Sequence, residues 1–242
     1  MKRLSFLLCL SFCHSVFGKC EFTSSSVEKV TLVELYTSQG CASCPPTDEW
    51  LNKLIDSTNL FKTFVPIAFH VDYWNHLGHR DPFSNPLFSD RQRAYSAFWG
   101  TPNIYTPQII LGGQEWKGGA FPDLKATKNL GGKLDYCFDQ KRNSVKIQFE
   151  SPYPERKILL GHVAYLGSGL TTKVTSGENV GKKLESNFVA LSWKSFPLKE
   201  RKNIYRGHYR FKKLPPSTKA HLAVWITEST SLLPLQAAGL AL

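Results

Sequence analysis

Residues 33–46 constrain the fold more than any other stretch: Val33-Glu34-Leu35-Tyr36-Thr37-Ser38-Gln39-Gly40-Cys41-Ala42-Ser43-Cys44-Pro45-Pro46. They read as an apolar strand, a polar turn, two cysteines two residues apart, and a helix start. Pro45 and Pro46 suit the first helical turn, where a missing N–H costs least. Asp48 and Glu49 favour the positive helix end. Trp50, Leu51, Leu54 and Ile55 fall on one helical face. Cys41 is therefore expected just before a helix N-terminus, with Cys44 in or beside its first turn.

That placement has a chemical meaning. The thiolate is the nucleophile, and helix N–H groups favour the anion, so Cys41 should be more acidic than a free thiol. Two cysteines at this spacing can form a small disulfide, the basis of dithiol–disulfide exchange. Zinc ribbons also use Cys-x-x-Cys; its position between a strand and a helix favours redox chemistry. Cys41 is the expected nucleophile and Cys44 the resolving thiol. An inert structural disulfide is the alternative.

The chain alternates after that. Residues 28–36 read as a buried strand and 45–57 as a helix. Residues 64–71 form an apolar run of the kind parallel strands show. Residues 77–89 read as a Gly- and Pro-bearing loop and 90–98 as a second helix. Residues 108–111 and 114–117 make a hairpin across Gly112-Gly113, and 122–140 read as a last helix. The order is β-α-β-α-β-β-α. From Ser144 onwards short β-like runs recur at 145–149, 158–166, 188–193, 208–211 and 221–227. The expected fold class is α/β over 28–140, with an additional C-terminal all-β, sandwich-like domain over 144–242.

Val33 to Tyr36 leading into Cys-x-x-Cys resembles the active-site strand of thioredoxins and protein disulfide isomerases. Thr-Ser-Gln-Gly-Cys-x-x-Cys-Pro-Pro, His70-Val71-Asp72-Tyr73-Trp74, Arg91-Gln92 and Tyr105-Thr106-Pro107 together resemble a family of secreted bacterial thioredoxin-like proteins of unknown function. The resemblance implies a thioredoxin-like domain over 28–140, with a cis Thr106-Pro107 bond facing the cysteines ahead of the 108–111 strand. It also implies a buried carboxylate on the first strand. With one extra turn residue counted near Gly40, Glu34 stands at that position, where it would take the proton of Cys44.

Ligand-binding groups gather at the C-terminal ends of parallel strands. His70 and Asp72 therefore either approach the thiols or hold their own loop, with Asp72 bonded to Arg91. Thr106, Pro107, His70 and Asp72 are the expected substrate-binding residues. Gly177-Glu178-Asn179 reads as a turn that either reaches the site or has no function.

Lys2 and Arg3 precede an apolar run from Leu4 to Phe17, ending in Val16-Phe17-Gly18. This is the pattern of a secretory signal over 1–18. The expected location is periplasmic or secreted, with no stable membrane anchor after cleavage. Removal lowers the formal charge from +11 by two, to +9. No arginine-rich groove with interleaved aromatics accompanies that charge, so nucleic acid is not an expected partner. Cys9 and Cys13 leave with the signal. Cys20 and Cys137 remain beside Cys41 and Cys44, either as a staple or as two unpaired thiols.

The expected function is thiol–disulfide exchange with protein or small-molecule thiols and disulfides, which needs no cofactor and no metal. Two other classes stay open. Cys41, Cys44 and His70 could hold copper(I) or zinc, with His76 and His79 nearby. The chain could also be a redox-inert binding module.

Overall fold

The computed structural model describes residues 20–153, 157–217 and 219–242. The expected signal segment, with Cys9 and Cys13, lies outside them. In chain order the elements are β1 Thr23–Ser24, β2 Thr31–Thr37, α1 Pro45–Lys53, β3 Phe64–His70, α2 Pro86–Trp99, β4 Gln108–Leu111, β5 Gln114–Glu115, β6 Lys133–Asp139, β7 Ser144–Glu150, β8 Leu159–Ser168, β9 Leu170–Lys173, β10 Lys183–Ser186, β11 Val189–Pro197, β12 Lys199–Arg201, β13 Ile204–Arg210, β14 Lys219–Glu228 and β15 Pro234–Ala241.

The expectation of an α/β, thioredoxin-like fold is corrected. Strands hold 43% of the residues and helices 13%, so the fold is mostly β. The later strands do not form a sandwich of their own. Four of them, β8, β11, β14 and β15, extend the sheet that leads into the cysteines, in the order β15-β14-β8-β11-β3-β2-β4-β5, and β9 pairs only with β10. The junction is the pairing of Val189 in β11 with Ala68 in β3, reinforced by the Ala68 N–H donating to the Phe188 carbonyl at 2.9 Å. The edge of β3, buried at every position, must be paired or covered, and β11 pairs it. A second sheet, β1-β6-β7-β13-β12, is antiparallel throughout.

Strand alternation produces two cores from one sheet. Leu159, Val163 and Tyr165 of β8 and Leu222, Val224 and Ile226 of β14 pack with Leu134, Tyr136, Ile147 and Phe149 of the second sheet. The intervening Ala164, Leu166, Ala223 and Trp225 join the other core, with Tyr36, Phe69 and Tyr95. The runs around 158–166 and 221–227 are apolar at nearly every position because both faces are covered.

The helix expected over 122–140 is replaced by coil and then β6. Leu134 and Tyr136 point inward at period two, which outweighs the helical reading. Gly132 has φ +91°, and a Cβ there would meet the Glu150 carbonyl oxygen at 2.6 Å. The second helix starts four residues before the expected Asp90. Asn85 caps it by accepting the Leu87 N–H at 3.0 Å, and Pro86 fills its first position.

Cys20 and Cys137 form a disulfide, with their Cα atoms 5.8 Å apart. It ties the segment before β1 to β6.

Candidate dithiol site

Alternation also decides which side chains reach the cysteines. β2 and β3 run parallel in register, with Glu34 beside Ile67, Tyr36 beside Phe69 and Thr37 beside His70. Glu34, Tyr36 and Phe69 point to the face packed against α2. Thr37 and His70 point to the opposite face, toward the start of α1.

α1 begins immediately after Cys44, which sits at its N-cap. The N–H groups of Thr47 and Asp48 donate to the Cys44 carbonyl at 2.9 and 3.0 Å, closing the first turn. Cys41 lies one turn earlier, before the helix. Both cysteines are free and buried, Cys44 deeper, while Ala42 and Ser43 between them are exposed. The Cys41 Sγ is 3.4 Å from the Ser43 Oγ and 3.6 Å from the Thr106 carbonyl oxygen. The Thr106-Pro107 bond is cis, and the Trp74 indole donates to the Thr106 hydroxyl at 2.7 Å.

The two thiols have opposite acidities. The hydrogen bond from Cys44 brings Cys41 down to about 6, against burial and with help from Ser43. Burial, the bond to Cys41 and the charge of Asp48 push Cys44 well up. Asp48 lies one helical turn beyond Cys44, on the same face of α1. The residue edges a groove with Asn52, Lys53, Lys183 and Glu185, but its carboxyl is enclosed, and burial raises it to about 7. His70, although buried, is raised by Asp81, whose Oδ2 lies 2.7 Å from its Nδ1. Asp81 is lowered despite burial by His70 and by the N–H groups of Gln39 and Phe83. The Thr37 hydroxyl, on this same face, partly offsets the effect of burial on both Cys44 and Asp48.

The structure does not bring Glu34 to the thiols. Its carboxylate receives Arg91 in two bonds, Nε to Oε2 at 2.7 Å and Nη2 to Oε1 at 3.0 Å, and the hydroxyls of Tyr95 at 2.6 Å and Tyr36 at 3.1 Å. The guanidinium lies over the rings of Phe69, Tyr95, Trp193 and Trp225 at 5.2–5.7 Å. Asp72 turns away as well, accepting the Ser89 hydroxyl at 2.5 Å. Arg91 goes to Glu34, so the expected Asp72–Arg91 link is absent. Of the expected residues, Cys41, Cys44 and Thr106 meet, Thr106 through the carbonyl that precedes Pro107, and His70 joins them through the Asp48 charge. Among the described residues no three His, Cys, Asp or Glu side chains form a group that could hold a metal, so Cys41, Cys44 and His70 are not assembled as ligands.

Asp48, Thr37 and Asp81 are the site residues sequence reasoning missed. The Cys44-to-Asp48 spacing of four was a usable signal. Thr37 could have been found from strand parity relative to Glu34. Nothing local marks Asp81.

The family model described as a protein of unknown function (DUF1223) matches residues 32–227. The chain belongs to that family. The match spans both the dithiol and the later strands. No curated protein matches the chain. Protein AGR_C_4864 from Agrobacterium tumefaciens, a crystal structure, is similar at TM-score 0.60 and 24% identity, over 89% of this chain and 96% of that one. HBP35 of Porphyromonas gingivalis is similar at TM-score 0.64 and 13% identity, over 90% and 76%. These likenesses concern the fold, and both extend over strands from each half of the continuous sheet.

Proposed function

We propose that this chain is a thiol–disulfide oxidoreductase working through Cys41 and Cys44 in an oxidising compartment outside the cytoplasm. The observation that carries the reading is a pair of free, buried cysteines at a helix start, with the Thr106 carbonyl ahead of the cis Pro107 3.6 Å from the Cys41 Sγ and the enclosed Asp48 carboxyl one turn below. The Cys20–Cys137 disulfide supports the compartment, since such bonds persist where the surroundings are oxidising.

In the reducing direction the Cys41 thiolate attacks one sulfur of a substrate disulfide. A Cys41–substrate disulfide forms, and the other substrate sulfur leaves as a thiolate. Asp48 takes the proton of Cys44. The Cys44 thiolate then attacks the Cys41 sulfur, forming the Cys41–Cys44 disulfide and expelling the second substrate thiolate. The substrate gains two electrons and the chain's dithiol loses them. The same steps in reverse oxidise a substrate dithiol. The proton acceptor is Asp48, in place of the Glu34 expected from sequence, because Glu34 lies on the other sheet face.

The test equilibrates the full-length protein with glutathione redox buffers, quenches with alkylating reagent and maps the cysteines by mass. A two-electron Cys41–Cys44 couple, with turnover of a peptide disulfide, is the expected result. Failure to exchange with any disulfide while Cys41 alkylates readily would reject the proposal.

A further inference from the structure

The β9–β10 hairpin comes from the far half of the chain, yet it reaches the cysteine turn. Leu170–Lys173 pair with Lys183–Ser186, and Val174 bonds both Lys182 and Gly181 to close the loop. The hairpin is anchored at its base, where the Asn52 side chain of α1 donates to the Glu185 carbonyl at 2.8 Å and accepts the Asn187 N–H at 2.7 Å. Its tip bonds the dithiol turn directly. Asn179 is fully buried. Its Nδ2 donates to the carbonyls of Gln39 at 3.0 Å and Cys41 at 2.8 Å, and its Oδ1 accepts Lys182 Nζ at 2.8 Å. Next to it, the Glu178 carboxylate accepts the Ala42 N–H at 3.0 Å.

These contacts are chemically pointed. The Ala42 N–H belongs to the peptide that follows Cys41 directly, and the backbone donor that favours the Cys41 thiolate is the next one, Ser43. A carboxylate bonded at Ala42 holds a negative charge one residue from Cys41. The Asn179 amide, bridging the carbonyls on either side of Gly40, fixes the backbone that carries Cys41.

We infer that the β9–β10 hairpin is a positioning strap for the dithiol, in which Asn179 fixes the Cys41 turn and Glu178 restrains the reactivity of Cys41. This deepens the oxidoreductase reading by assigning the residues that set the poise of the same site. Other charged or titratable groups around Cys41 come from every neighbouring element: Cys44 and Asp48 on α1, Tyr73 after β3, Asp81 and His79 through Gln39, and Lys182 on the hairpin. Among the described residues, Glu178 is the acidic side chain bonded to the peptide between the cysteines.

The experiment uses Glu178→Ala, Glu178→Gln and Asn179→Ala in the full-length protein. Ultraviolet absorbance of the thiolate is followed against pH, in the native dithiol and with Cys44 replaced by serine, beside native-state amide exchange of residues 40–42. Both Glu178 variants should ionise Cys41 at lower pH and shift its equilibrium with glutathione toward the reduced dithiol by roughly two- to fivefold, the size of an exposed charge at a helix end. Asn179→Ala should speed amide exchange at 40–42. Unchanged titration in both Glu178 variants together with unchanged exchange in Asn179→Ala would overturn the inference. Glu178 is exposed, so its variants keep the test valid if the Asn179 variant fails to fold. All readouts concern the chain's own thiols and amides, so they are separable from whether any substrate disulfide turns over.

Discussion

Replacing Asp48 with asparagine should make the protein more stable and a poorer catalyst. The carboxyl is raised from 3.8 to about 7 because burial disfavours its charge. An acid raised in the folded state binds its proton more tightly there than in the unfolded chain. Its contribution is therefore fully present below about pH 4 and is lost as pH rises through about 7. Each pH unit across that interval is worth about 1.4 kcal/mol, so the wild type forfeits at most about 4 kcal/mol on reaching neutral pH. Asparagine keeps the shape and has no charge to bury. Urea unfolding of the reduced protein, wild type against Asp48→Asn, at intervals between pH 4 and 8 measures the difference. The two should agree at the acid end and diverge steadily, the variant being the more stable. The same variant should slow the Cys44 step by roughly a hundredfold or more, as expected for loss of a positioned base. Parallel stability curves across the whole range would refute the reasoning.

Cys44→Ser should accumulate a covalent Cys41 mixed disulfide with a peptide disulfide and Cys41→Ser should not, which non-reducing electrophoresis and peptide mass mapping will read. Glu34→Gln should cost about 3 kcal/mol or more by leaving Arg91 buried and uncompensated, with the pH profile of the Cys44 step unmoved; denaturation and rapid-mixing kinetics test the two halves. Replacing Cys20 and Cys137 together with alanine should lower stability by at most about 5 kcal/mol from loss of a long covalent loop, while Cys41 titrates as before.

Local chemistry was the legible part of the sequence. Pro45 and Pro46 place the helix start, and with it the unequal thiols, from residue types alone. Tertiary pairing was not legible. Nothing within 64–71 says that its free edge takes residue 189, and without that pairing the later strands look like a separate unit. The helix expected over 122–140 failed because Leu134 and Tyr136 obey strand periodicity across only a few residues, too short to outweigh the longer helical pattern. The Glu34 assignment failed on parity: counted by proximity in sequence it stands near Cys41, but Thr37 and His70 own the face that looks at α1. Asp81 and Asn179 reach the site from loops whose sequences carry no periodic signal at all.

Parity in β2 has a consequence for what the chain can tolerate. A one-residue insertion or deletion between Val33 and Thr37 would exchange the two faces. The Glu34 carboxylate would turn toward the Asp48 and Cys44 side, where two acids would share one enclosure, and Arg91 would be left among aromatic rings with no counter-ion. With an insertion, each of the five residues 33–37 would still be present. A scan of single-residue deletions should therefore show β2 as far less forgiving than the exposed segment 117–119, and less forgiving than any point substitution within β2 itself. For this strand, phase is the inherited quantity, and composition is secondary to it.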